Sequence, residues 1–255
     1  MKKALCIAVL AFGWLAGTAV QADDFLLGVR GGLSIPRLSN GGNEISDGYS
    51  SRLGPNFGIV GEYYLTHSLS LVAEIDYSSQ GGIRRGVQPI TQSPDGVPPL
   101  PPGQYLYGDF RNESILNYLE IPLMLKMDWE LCEHWRCYVE GGVFIGFLLD
   151  AEEHTSGSSQ IYVDQNRTPL TMGGQPLPPV SFDSTTDNLG DLNKVNWGVT
   201  AGVGVTYLFT PNHQFFLDLR GEYGLRAVQK DTATNGSSST GCAVLALGYK
   251  YSFGR

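Results

Sequence analysis

Between positions 195 and 226 the chain alternates with a period of two. The odd positions of its first half are Val195, Trp197, Val199, Ala201, Val203, Val205, Tyr207 and Phe209, and the even positions between them are Asn, Gly, Thr and one Leu. After a turn at 210–214 the odd positions are Phe215, Leu217, Leu219, Gly221, Tyr223 and Leu225. The even ones are Phe216, Asp218, Arg220, Glu222, Gly224 and Arg226. Successive side chains of a strand point to opposite faces, so each half is a strand with one apolar and one polar face.

The same alternation predicts eight strands, at 25–36, 57–66, 69–78, 119–129, 138–149, 195–209, 215–226 and 243–253. The apolar positions are odd in all eight and include no Asp, Glu, Lys or Arg. The even positions carry thirteen charges: Arg30, Glu62, Glu74, Asp76, Glu120, Lys126, Asp128, Glu140, Asp218, Arg220, Glu222, Arg226 and Lys250. They also carry many glycines, Gly28, Gly146, Gly204 and Gly248 among them.

Connection lengths alternate too. Those near 66–68, 130–137 and 210–214 are short, whereas 37–56, 79–118, 150–194 and 227–242 are long and rich in Gly, Pro, Ser and Thr. A meander gathers the short turns at one end and the long loops at the other, as in outer-membrane barrels with short periplasmic turns and long external loops. Segments of ten residues or more suit tilted membrane strands better than soluble ones. Aromatics gather toward the ends of the apolar face (Phe25, Phe57, Tyr63, Tyr77, Trp129, Trp197, Tyr207, Phe209, Phe215, Tyr249, Tyr251 and Phe253), as interfacial girdles require. The expected fold is therefore all-β: an eight-stranded antiparallel up-and-down transmembrane β-barrel.

Energetics fix which face looks outward. A Lys or Arg in lipid at mid-membrane costs roughly 2–4 kcal/mol, and thirteen such charges would exceed a typical stability of about 5–15 kcal/mol. The charges must line the lumen. Eight strands leave an interior just wide enough for side chains, so a plugged lumen is expected, filled by an ion-pair network.

Positions 1–22 read as a signal peptide, with Lys2 and Lys3 before the apolar run 4–15 and cleavage between Ala22 and Asp23. The barrel domain would then occupy 23–255. The 255-residue chain has a net charge of −8, which excludes nucleic acid as a partner. The expected partners are outer-membrane lipid, the barrel assembly machinery, and a protein or glycan ligand at the external loops.

The run Tyr118-Leu119-Glu120-Ile121-Pro122, with Leu123, Leu125 and Lys126 following, resembles the fourth strand of the PorT-like outer-membrane β-barrel family. The opening Gly28-Val29-Arg30-Gly31-Gly32-Leu33 and the closing Gly248-Tyr249-Lys250-Tyr251 are similar to that family's as well. The end of the chain also resembles the signal read by the barrel assembly machinery, although Gly254 and Arg255 follow its terminal aromatic. The resemblance implies an outer-membrane location and offers, as an alternative function, a part in secretion or gliding assembly.

Candidate chemistry is sparse. Cys132 and Cys137 flank the fourth-to-fifth turn and form a candidate disulfide, with a metal site including His134 as the alternative. Cys242 is left odd. His154 follows Asp150, Glu152 and Glu153, and a barrel enzyme, the lesser alternative, would have its site near it. No catalytic motif, metal site or cofactor site is expected. The reading is an envelope-structural or surface-interaction barrel acting through Gln80–Ser114 and Asp150–Lys194, with a narrow solute pore as the alternative.

Overall fold

The computed structural model describes residues 25–39, 41–90, 101 and 104–253. The expected signal peptide and its Ala22–Asp23 cleavage lie outside the described residues, as do positions 91–100, 102 and 103 of the second long connection and the terminal Gly254 and Arg255.

The strands are β1 (Phe25–Leu38), β2 (Gly54–Tyr64), β3 (Leu69–Ile90), β4 (Leu106–Cys132), β5 (Trp135–Ser156), β6 (Ser158–Ser159), β7 (Thr171–Met172), β8 (Gln175–Pro176), β9 (Val180–Ser181), β10 (Ser184–Asp187), β11 (Val195–Thr210), β12 (His213–Gly224) and β13 (Thr240–Ser252). The ring runs β1–β2–β3–β4–β5–β11–β12–β13 and closes on β1, every pairing antiparallel. This is an eight-stranded up-and-down barrel. Followed round the ring, the ladder that starts at Gly28 returns to β1 at Leu38, ten residues further on. Such a stagger accompanies the tilt that closes a barrel.

Burial follows parity. Val29, Ile59, Leu123, Val143, Val203, Leu219, Leu247 and most other odd apolar residues of the barrel are exposed, while most of their even neighbours are buried. The exposed set forms the apolar belt that faces lipid. Lumen glycines let large neighbours lie flat. A Cβ on Gly204 would stand 2.2 Å from the Tyr138 ring, and one on Gly248 would stand 2.1 Å from that of Phe216.

Three strands outgrow the expected span. β3 continues to Ile90, β4 begins at Leu106 and β5 runs to Ser156, so most of the expected loop at 79–118 is a β-hairpin. From Leu106 to Tyr118, β4 covers roughly 40 Å of strand. The alternation fades there because, beyond the lipid, neither face must stay apolar. β10 pairs with β5 in this upper wall. β12, in contrast, ends at Gly224 and not at 226.

Candidate functional site: the lumen and its mouth

Twelve of the thirteen even-face charges are buried in the barrel interior. The exception is Arg226, a correction to the sequence reading. It lies beyond the end of β12, is exposed, and donates to the Val195 carbonyl and Asn193 Oδ1 at the rim.

The twelve fall into three groups. At mid-lumen the Arg220 guanidinium is a hub. It donates to both Glu74 oxygens at 2.6 and 3.0 Å, to Glu140 at 2.7 Å and to Asp218 at 3.0 Å. Arg30 joins the same group through Glu74 at 2.5 Å and Asp76 at 3.2 Å, with Asp218 at 3.6 Å. These contacts tie β1, β3, β5 and β12 across the interior, and guanidinium suits such bidentate work.

Nearer the short turns, Glu62 is held between Lys126 at 2.9 Å and Lys250 at 2.5 Å, and it accepts from the Ser70 hydroxyl at 2.7 Å. Lys126 also lies 3.3 Å from Asp128, which accepts from Tyr64 at 3.1 Å. Both ammonium groups sit over aromatic rings, Lys126 at 4.4 Å from the Tyr138 centroid and Lys250 at 4.7 Å from that of Phe216. The two glycines beneath those rings make this possible.

Toward the long-loop end, Glu120 and Glu222 form a third group with no base in salt-bridge range among the described residues. Glu120 accepts from Gln80 Nε2 at 2.5 Å.

Above these carboxylates lies an apolar layer. Leu38, Leu116, Tyr118, Leu148, Ala151 and Val228 form one buried cluster, and Tyr49, Leu189 and Leu192 pack against it. Strands β1, β4 and β5 supply five of the cluster's residues. Val228 and the three packing residues come from the first, third and fourth long connections. These connections are stapled together by Ser237 N–H to the Gly41 carbonyl at 2.9 Å, Asn193 N–H to the Val228 carbonyl at 2.8 Å and Ser39 N–H to the Ser239 carbonyl at 2.9 Å. The sequence reading missed this cover, because a few leucines in long polar loops carry no period.

Outside the membrane, the wall presents an open cleft of about 550 Å³ lined by Arg111, Glu113, His154, Asp183 and Thr185. His154 is paired with Glu152 at 2.7 Å. Burial would raise the Glu113 carboxyl, but hydrogen bonds from Arg52 and Arg111 outweigh it and hold the group below its ordinary value. The Gly157 N–H and the Ser181 hydroxyl hold Asp183 low as well. Thr155, Ser156 and Ser184 also line the cleft, and among the described residues the side-chain partner of His154 is Glu152, not a hydroxyl.

The expected disulfide is also corrected: Cys132 and Cys137 are free thiols. Cys137 registers against Trp129 and Cys132 against Trp135, with an irregularity between Glu130 and Cys132, so the two are not cross-strand partners. Among the described residues no three or more His, Cys, Asp or Glu side chains converge to hold a metal.

The family model for the outer membrane protein beta-barrel domain matches residues 21–229. The chain belongs to that family. The family places it in the outer membrane, with the apolar belt against lipid. Solved structures similar to it include Neisserial surface protein A, at 15% identity over 89% of this chain and 96% of that one, TM-score 0.42. Another is the E. coli outer membrane protein W, at 15% identity over 91% and 99%, TM-score 0.40. A third is Ail, the attachment invasion locus protein of Yersinia pestis, at 13% identity over 88% and 97%, TM-score 0.37. No curated protein matches the chain.

Proposed function

We propose that this barrel does not conduct, and that it acts at the cell surface through the wall and loops above the membrane. The observation that carries this reading is the apolar cover of Leu38, Leu116, Tyr118, Leu148, Ala151 and Val228 across the mouth of the charged lumen. An ion crossing it would shed its water against mostly apolar side chains, with tyrosine hydroxyls as the polar groups of the layer, and below it would meet a lumen bridged by Arg220. Transport is therefore the poorer use of this interior.

What remains accessible is the outer wall of β3, β4, β5 and β10. There the Asp109–Arg167 and Arg111–Glu113 pairs, together with the cleft at His154, present mixed charge to a protein or glycan partner. The chain is not an enzyme in this reading. The PorT-like motif at 118–122 supports membership of that narrower group, with lipid and the barrel assembly machinery as partners and export through the 1–22 signal.

Planar-bilayer recording of the purified full-length barrel tests the central point. A flat current trace at moderate voltage is expected. Steady unitary openings would replace this reading with the narrow solute pore.

A further inference from the structure

Above the membrane the wall is an open sheet, and one of its margins is bare. β3, β4, β5 and β10 lie side by side there, and β10 is bonded to β5 alone among the described residues. The pairs are Ser184–Thr155, Thr185–His154, Thr186–Glu153 and Asp187–Glu152, with no break in register. The ladder continues past both ends. Phe182 N–H donates to the Gly157 carbonyl at 2.8 Å, and Asn188 N–H to the Ala151 carbonyl at 2.9 Å. Even residues of this run therefore turn their backbone groups to β5, and odd ones turn theirs away. The N–H and C=O of Thr185 and Asp187, and the C=O of Asp183, have no backbone partner among the described residues. Asp183, Ser184, Thr185 and Asp187 are all exposed.

The side chains beside this edge carry one sign. Pairing sets Glu113, His154 and Thr185 in a row across three strands, in the cleft of about 550 Å³ that Asp183 also lines. Glu152 stands beside Asp187 in the next row. Asp183 accepts from the Gly157 N–H at 3.0 Å and the Ser181 hydroxyl at 2.9 Å, and Asp187 from the Leu189 N–H at 2.8 Å. Neither acid has a base in salt-bridge range among the described residues, whereas Asp109 and Glu113 on the same wall are paired with arginines. Exposed edges are usually blunted by Lys, Pro or a bulge. This one has none of them from 184 to 187.

We infer that the free edge of β10 takes up an extended peptide as a further antiparallel strand, one with basic side chains at alternate positions. The inference rests on the surface-contact reading above and names the chemistry of its partner. Main-chain bonds to Asp183, Thr185 and Asp187 supply the pairing, and side chains opposite the two acids supply the choice. Directly opposed residues stand about 4.5–5.5 Å apart, so Lys or Arg at positions four apart in the peptide would each face an acid. A second copy of the chain fits worse. Self-pairing about Thr185 sets Asp183 of each copy against Asp187 of the other, and like charges in that position repel. The chain's own 91–100 stretch fits worse too, because it has no Lys or Arg and its Pro94, Pro98 and Pro99 lack a ladder donor. A glycan would use the hydroxyls of the cleft and leave the backbone groups of the edge unmet.

The probe is the fluorescent peptide acetyl-Thr-Lys-Thr-Val-Thr-Lys-Thr-amide, titrated at low salt against the full-length barrel in non-ionic detergent. Saturable binding is expected, with slower amide exchange at 183–187. N-methylation of the central Val removes an N–H that faces β10 and should weaken binding at least tenfold, while N-methylation of the Thr before it, whose N–H faces away, should change it little. This comparison needs no variant of the barrel. Thr185→Pro removes the edge donor without touching the bonds to β5 and should also cost tenfold or more. Asp183→Asn together with Asp187→Asn should weaken binding at least threefold and flatten its salt dependence. Heat-modifiable mobility confirms that each variant is folded. No saturable binding up to millimolar peptide overturns the proposal, as does equal binding by the N-methylvaline peptide or by folded Thr185→Pro. Purified outer-leaflet oligosaccharide that binds where the peptide does not would assign the cleft to a glycan and overturn it. Dimerisation that Thr185→Pro abolishes would assign the edge to a second copy, with the same result. A barrel that conducts yet binds the peptide loses the non-conducting reading and keeps this one; a flat trace without binding does the reverse.

Discussion

At the scale of single residues the barrel separates two costs that soluble proteins usually merge. A charge on the outer face fails because lipid offers it nothing; a charge on the inner face succeeds only if it finds a partner. Val203 is 51% exposed on the belt and Thr200 is buried on the lumen side of the same strand. Val203→Lys should cost roughly 2–4 kcal/mol of folding free energy, and Thr200→Lys clearly less, as read by urea titration in lipid vesicles. Equal costs would contradict the assigned faces. The inner-face rule has its own check in Arg220. Arg220→Met strands Glu74, Glu140 and Asp218 without their hub and should cost about 3–5 kcal/mol. Arg226→Met removes only two rim hydrogen bonds of an exposed side chain and should stay within about 0.5 kcal/mol. The parity of these residues was legible in the sequence because one slip of register would put every charge into lipid. The position of Arg226 was not, since a strand's last residues satisfy the same parity whether or not they pair. Nor was the absence of a Cys132–Cys137 bridge, which depends on the irregular pairing after Trp129.

At the scale of elements, what distinguishes this barrel is unequal strand length. β2 and β12 stop within a dozen residues, whereas β4 has 27 and carries the wall. Lipid dictates alternation only as far as lipid extends, so the sequence announced the membrane part of β3, β4 and β5 and stayed silent about the rest. Above the membrane the wall relies on polar cross-links. Glu113 is one, bonded by Arg52 at 3.1 Å and Arg111 at 2.6 Å. Its folded-state value is depressed, so its contribution is present at neutral pH and is lost as acid carries the group through that lowered value. Protection of the amides at 50–53 and 111–113, measured against their slower intrinsic exchange in acid, should accordingly fall as the pH drops, while the lipid-buried ladders keep theirs. Replacing Glu113 with Gln should abolish that pH dependence. If the variant and the parent respond alike, Glu113 is not what anchors the first connection to β4.

At the scale of the whole molecule the interior is two barriers in series. The apolar cover is made by residues distant in sequence, and the ion-pair layer under it is made by residues whose parity alone revealed them. The chain supplies its own probe of the space between. Cys242 is buried, faces the lumen at the level of Glu222, and donates weakly to the Ala243 carbonyl at 3.4 Å. With Cys132 and Cys137 replaced by Ser, a small thiol reagent added from outside should label Cys242 only slowly, because the cover must first open. Leu189→Ser together with Leu192→Ser removes apolar packing that the third connection lends to the cover. Labelling of Cys242 should then accelerate by an order of magnitude or more, since two half-buried leucines together represent roughly 1.5–3 kcal/mol of lost burial, only part of which opposed opening. Bilayer current should nevertheless stay flat in that variant, because Arg220 and Arg30 still bridge the lumen below. Fast labelling without current would separate the two barriers experimentally. Current in the leucine variant would show that the cover alone closes the barrel. Unchanged labelling would mean that the loops do not control entry at all.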